Sequence, residues 1–69
     1  MLATVRFYLD AEVDAELLDE LDLEYNYEED YCVLTLEVDE TLLESLNGEE
    51  LVEFIGIDGE NLVYIEVVE

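Results

Sequence analysis

The stretch LEYNYEEDYCVLTLEV, residues 23–38, carries the reading on which the fold turns. Leu23, Tyr25 and Tyr27 alternate with Glu24, Asn26 and Glu28. After a polar turn at Glu29-Asp30, Cys32, Leu34, Leu36 and Val38 form one apolar side of a second run, Tyr31 to Val38. A period of two on both arms of a short polar turn, with aromatic and β-branched residues prominent, is the pattern of a β-hairpin. The hairpin lies mid-chain, so what flanks it decides the architecture.

Upstream, Val13, Leu17 and Leu21 recur at spacing four and Leu18 widens the stripe. That spacing predicts an amphipathic helix from about 11 to 21, opened by Asp10 as N-cap, with Glu12, Glu16 and Asp19 on its far side. Before it, Ala3, Val5, Phe7 and Leu9 alternate with Leu2, Thr4, Arg6 and Tyr8, which predicts a strand over residues 1–9. Downstream, Asp39 is a second N-cap, ahead of Leu42, Leu43 and Leu46. Asn47-Gly48 interrupts this helix, and Asn47 with Glu50 forms a capping pair that restarts it through Leu51, Val52, Phe54 and Ile55. A turn at Asp58-Gly59 precedes a last strand over 61–68, with Val63, Ile65 and Val67 on one side and Leu62, Tyr64 and Val68 on the other. The order is β-α-β-β-α-β. It predicts an α+β domain: a small sheet of about four strands with helices on one face, of the ferredoxin-like kind.

A chain of 69 residues and 8.0 kDa is expected to be one domain, residues 1–69, near the size below which chains need staples. A single Cys and no His leave neither a disulfide nor structural zinc, so packing alone must supply the stability. The 52% hydrophobic content, including 13 Leu and 8 Val, is enough for a core. Against it stand 22 Asp and Glu and one Lys or Arg, a net charge of −21 spread along the whole length. Binding to nucleic acid or to an anionic membrane, both polyanions, is thereby disfavoured. No apolar run approaches a membrane span and no secretory leader pattern opens the chain, so the expectation is a soluble intracellular protein. The charge points to a basic partner, a cation atmosphere or a salt-rich solvent.

Most catalytic kits lack their parts. There is no His or Lys, and three glycines form neither phosphate-binding motif. Paired carboxylates can run acid–base chemistry, but they need a walled pocket that raises one of the two, which a domain of this size scarcely offers. The expectation is a protein without enzymatic activity or cofactor. A calcium loop with Gly48 or Gly59 at its sixth position would place Leu43 or Phe54 at the first, where a carboxylate is required. Divalent cations would gather as an atmosphere rather than in a metal site.

Cys32 lies on the apolar side of its strand and reads as a small core hydrophobe. A reactive thiol would want positive charge nearby. Tyr8, Tyr31 and Tyr64 fall, with Val33, Leu62 and Val68, on the side opposite the main apolar stripe. Half-exposed sheet surface is the plain reading of that set. The sharper one is an aromatic interface, for a partner or for a homodimer through the tyrosine-bearing face. Arg6 faces the same side and can pair with Glu66 or Glu37.

The acidity ignores the helix dipole, since Asp19, Glu20 and Asp22 crowd the C-terminal end of the first helix. No Lys is interleaved to make i,i+4 pairs either. A folded chain of this mass exposes roughly 4,400 Å². With most carboxylates on about half of that, each occupies about 100 Å², near the ~110 Å² per charge of duplex DNA. A very small, strongly acidic, His-free and Lys-free yet well-packed α+β chain resembles the DNA-mimic inhibitors of phages and mobile elements, of the anti-CRISPR and anti-restriction type. The resemblance spans the chain but is one of composition, without a motif. It implies a stoichiometric inhibitor in the cytoplasm of an infected bacterial or archaeal host, whose partner is a basic nucleic-acid-binding complex. The outward carboxylates are the expected contacts: Glu12, Glu16 and Asp19 on the first helix, Glu24, Glu28, Glu29 and Asp30 on the hairpin, and Glu44, Glu49, Glu50 and Glu53 on the second helical region.

Two other readings stand beside it. A halophile's domain would carry acidity as a solvent adaptation, although 15 Glu against 7 Asp and the heavy aliphatics count against it. An acidic antitoxin or regulator would cap a basic protein that does not bind DNA. On any reading, relief of like-charge repulsion predicts that mild acid and added salt raise the melting temperature.

Overall fold

The computed structural model describes residues 1–68. Strand β1 (Leu2–Asp10) alternates as its period demands, burying Ala3, Val5, Phe7 and Leu9 on one face. Strand β3 (Tyr31–Asp39) runs antiparallel to it along its whole length, from Leu2 opposite Asp39 to Asp10 opposite Tyr31. The short β2 (Tyr25–Glu28) pairs antiparallel with the other side of β3, and β4 (Leu62–Val67) pairs antiparallel with β1. The sheet order is β2-β3-β1-β4. With two helical connections, that is the split β-α-β arrangement of ferredoxin-like α+β folds. The two longest strands take the centre, and the polar β2 and the short β4 take the edges.

Helix α1 (Ala15–Glu20) is shorter than the spacing of its leucines predicts. Two acids four residues apart can each cap a helix, and the chain uses the second. Asp14 accepts from the Glu16 amide at 2.9 Å. Asp10 instead closes a separate turn, its side chain accepting from the Glu12 amide and its carbonyl from the Val13 amide, both at 3.0 Å. Glu12 therefore belongs to a turn and not to a helix face. At the other end Asp22 takes a left-handed conformation (φ 58°), and the Leu23 amide reaches back to the Leu18 carbonyl at 3.1 Å. This is the usual αL helix stop, with Asp in glycine's place.

Helix α2 (Glu40–Ser45) starts at Asp39, which accepts from both the amide and the hydroxyl of Thr41. Helix α3 (Gly48–Ile55) starts at a capping box: Asn47 accepts from the Glu50 amide at 2.8 Å, and Glu50 accepts from the Asn47 amide at 3.2 Å. The expected interruption at Asn47-Gly48 is thus a clean stop and restart. Gly56, at φ 117°, ends α3 and lets the Ile57 amide bond the Val52 carbonyl at 2.8 Å, which tucks Ile57 into the core. A single 3₁₀ turn, Gly59–Asn61, leads into β4.

All helices lie on one face of the sheet. Val5, Phe7, Leu9, Cys32, Leu34 and Val38 from the sheet meet Val13, Leu18, Leu51, Val52 and Ile57 from above. No polar or charged residue is buried among the described residues. The radius of gyration is 11.1 Å, the value of a fully collapsed chain of this length, about 11 Å.

One register feature departs from simple alternation. Val67, Glu66, Ile65 and Tyr64 oppose Val5, Arg6, Phe7 and Tyr8, but the next pair is Leu9 with Leu62. The shift at Tyr8/Leu9 skips Val63, so Leu62 turns with Leu9 toward the helices and not to the tyrosine face where strict alternation puts it.

Candidate partner-binding surface

Every Asp and Glu among the described residues is exposed. Glu16 and Asp19 ride α1, and Glu12 lies in the turn before it. Glu24 precedes β2, while Glu28, Glu29 and Asp30 form a continuous acidic tip on the hairpin. Glu44 is on α2, and Glu49, Glu50 and Glu53 line α3. Of these eleven, only Asp19 and Glu50 accept a hydrogen bond, from the Tyr25 hydroxyl and the Asn47 amide. The remaining nine are open to a partner.

The helix-free face carries acids as well. By register, Asp10, Glu28, Glu37 and Glu66 share the helix-free face with Tyr8. Averaged over the whole 4636 Å², each carboxylate has about 210 Å². Negative charge thus surrounds the body, whose Cα trace measures 30 × 20 × 20 Å. The only Arg, Arg6, lies 3.9 Å from Glu66, both half exposed. An exposed pair of that length contributes little to stability. Tyr8 beside it, and then Glu66, hold the guanidinium firmly charged.

The three tyrosines singled out from the sequence come together. Tyr8 and Tyr64 stack at 4.2 Å with their planes 8° apart. Tyr31 meets both edge-on, at 5.8 Å from Tyr8 and 5.9 Å from Tyr64. They shelter Val33, directly opposite Tyr8, which is only 3% exposed although it points away from the main core. Desolvation in the cluster, followed by the neighbouring Tyr8 and Tyr31, raises the Tyr64 phenol above its ordinary value. Cys32 is fully buried, and burial pushes its thiol up, away from the reactive thiolate.

Sequence reasoning missed three features that depend on tertiary packing. The Tyr25 hydroxyl donates to Asp19 at 3.3 Å and ties the hairpin to α1. An apolar groove of about 250 Å³ opens between β3, α2 and α3, with Leu36, Leu42 and Ile55 in its walls and Phe54 72% exposed at its side. A second depression, of about 380 Å³, lies at the β4 edge between Tyr64 and the first turn of α3. Among the described residues no three carboxylate or thiol groups converge as metal ligands, and no helix is long and apolar enough to cross a membrane. Comparison of the chain with family models, curated proteins and solved structures finds no match in any of the three.

Proposed function

We propose that this protein is a non-catalytic inhibitor that presents the charge of duplex DNA to the basic nucleic-acid channel of a host defence complex, a CRISPR effector or a restriction enzyme, in the cytoplasm of an infected cell. The observation that carries this reading is charge per unit length. Duplex DNA has one charge per ~1.7 Å of axis, so a 30 Å length carries about 18. The chain carries a net −21 on a body of that length, with acids on both faces of the sheet as phosphates surround a duplex axis.

The mechanism needs no chemistry. A channel lined with Lys and Arg holds condensed anions or DNA, and the inhibitor enters it with the same steering and the same gain from counterion release. A carboxylate on a rigid helix or hairpin stands in for a phosphate. The nine of the eleven candidate carboxylates that accept no hydrogen bond within the molecule are free to do so. Inhibition is then competitive with DNA, stoichiometric, and weaker in high salt.

The test is retention followed by displacement. The protein is immobilised at physiological salt, and lysates of bacteria with CRISPR and restriction systems are passed over it. Duplex DNA is then added. The expected result is a retained nucleic-acid-binding complex that DNA elutes. A retained partner indifferent to DNA overturns mimicry in favour of an antitoxin or regulator. No retention by a folded bait assigns the acidity to the solvent.

A further inference from the structure

Strand β3 is nine residues long, but β2 covers only part of its outer side. Pairing runs from Glu28 opposite Tyr31 to Tyr25 opposite Leu34. One more bond follows, from the Thr35 amide to the Glu24 carbonyl, already stretched to 3.5 Å. Beyond it, among the described residues, no strand pairs with β3 on that side. In an antiparallel sheet the backbone groups of a strand point alternately to its two neighbours. The Glu40 amide bonds the Met1 carbonyl ahead of β1, and the Thr35 amide bonds Glu24 ahead of β2. Even-numbered residues of β3 therefore serve β1, and odd-numbered ones serve the β2 side. The N–H and C=O of Glu37 and the N–H of Asp39 thus point off an open edge. The side chains beside that edge divide by face. Leu36 and Val38 turn toward the helices and line the apolar groove, together with Leu42, Leu51, Phe54 and Ile55, and the lining reaches Glu37 and Asp39. Glu37 lies on the helix-free face, as does Glu24 opposite Thr35, and both are exposed.

We propose that an extended segment of the basic partner adds to this edge as a short strand opposite residues 36–39. The inference rests on the reading that the partner is a basic protein, and it names the form and the side-chain pattern of the segment that binds. Four residues of strand span about 13 Å. The outward groups of Glu37 and Asp39 can be satisfied by a main chain only if that chain is extended, which is the logic of strand addition. Partner residues opposite Leu36 and Val38 put their side chains into the groove, so they are apolar. Those opposite Glu37, and next to Glu24, lie on the other face, where Lys or Arg meets the carboxylates across the pair. The segment therefore alternates apolar and basic residues. A second copy of this chain is the wrong occupant, because it brings another net −21 and sets Glu37 against like charge. An exposed charge on an open edge is a common guard against pairing between copies. Here the sign of that charge rejects a copy and admits a cationic strand.

Titration of the whole protein with two octapeptides tests this, one alternating Lys and Val and one of the same composition in Lys-Lys-Val-Val order. Their charges are equal, so the field of the protein attracts both alike. The alternating peptide is expected to bind about tenfold more tightly and to slow hydrogen exchange at the Glu37 and Asp39 amides. Glu37→Gln removes the charge alone and should weaken both peptides while keeping the preference. Glu37→Pro removes the outward donor as well, a change that an edge position tolerates, and should abolish the preference. Phe54→Ala, at an exposed wall of the groove, should weaken the alternating peptide about threefold. The proposal is overturned if residue order makes no difference, if Glu37→Pro keeps the preference, or if Phe54→Ala changes nothing. Should Glu37→Pro fail to fold, amide exchange decides, and no slowing at Glu37 and Asp39 overturns the proposal. Amides already protected in the free protein, together with a dimer in sedimentation, would give the edge to a second copy and overturn it too. DNA and target are both absent from this titration. A failed edge therefore leaves DNA competition to be judged separately, and a target indifferent to DNA leaves the edge standing.

Discussion

Tyr8 and Tyr64 stand directly opposite each other on β1 and β4, their rings 4.2 Å apart and nearly parallel, on the face that no helix covers. Desolvation there, and then Tyr8, raise the Tyr64 phenol; desolvation and then Asp19 do the same to Tyr25. A folded value above the unfolded one means stability that is complete below pH 10.0, the ordinary tyrosine value, and is lost as pH rises through the folded values. The melting temperature should therefore fall above about pH 10, in step with tyrosine ionisation followed by absorbance. Combining Tyr64→Phe with Tyr25→Phe should flatten that fall. An unchanged alkaline profile in the double variant would refute the assignment.

The break between α2 and α3 rests on the Asn47–Glu50 capping box. Asn47→Ala removes the side-chain acceptor and should cost about 1 kcal/mol, a drop of roughly 4–8 °C in melting temperature for a domain of this size. Asn47→Asp keeps the acceptor and should melt close to wild type. Equal losses in both variants would show that something other than the cap is at stake.

Glu29 turns the hairpin in a left-handed conformation, φ 54°, without being glycine. That conformation costs a side-chain-bearing residue about 1–2 kcal/mol, of which glycine's greater freedom in the unfolded chain takes back about 0.5–1. Glu29→Gly should accordingly raise stability by up to about 1 kcal/mol in denaturant titration. If the hairpin tip enters the basic channel, the same change should weaken retention of the partner. Stability and binding should move in opposite directions.

Added salt should raise the melting temperature steeply, because a net −21 on so small a body repels itself. Mild acid removes part of the same charge. Asp39 works against the acid, since bonds from the hydroxyl and amide of Thr41 hold its carboxyl below the ordinary value. Its stabilising share is present above the unfolded value and is lost as pH falls through the folded one. A rise followed by a fall on acidification is the expected curve, and Asp39→Asn should soften the fall. A melting temperature flat in both salt and pH would contradict the role assigned to the charge.

The central strands were legible because residues 1–9 bury one face completely and 31–38 bury most of one, and period two survives only where burial enforces it. The capping box was legible from Asn47 and Glu50 alone, since its geometry is local. The start of α1 was not: Asp10 and Asp14 offer the same chemistry, and only the packing of Val13 decides between them. The face of Leu62 was hidden too, because a register shift belongs to a pair of strands and leaves no mark on either. For the same reason Tyr8, Tyr31 and Tyr64 could be placed on one face from alternation, while the recess beside Tyr64 needed α3 to arrive at the β4 edge.

Every described acid lies outside and no described polar or charged residue is buried, so away from the helix-capping Asp14, Asp39, Glu50 and Asp58 charge and fold are separable properties of this chain. Its surface can be recoloured one carboxylate at a time without disturbing what Phe7, Leu34 and Val52 do beneath it. Such a scaffold is a ruler for electrostatics: a ladder of Glu→Gln variants would measure how much negative charge a given target demands before it lets go. If the acids meet a basic target as proposed, the same freedom means that a lineage meeting a new one has only to redraw their pattern, and can leave the interior alone.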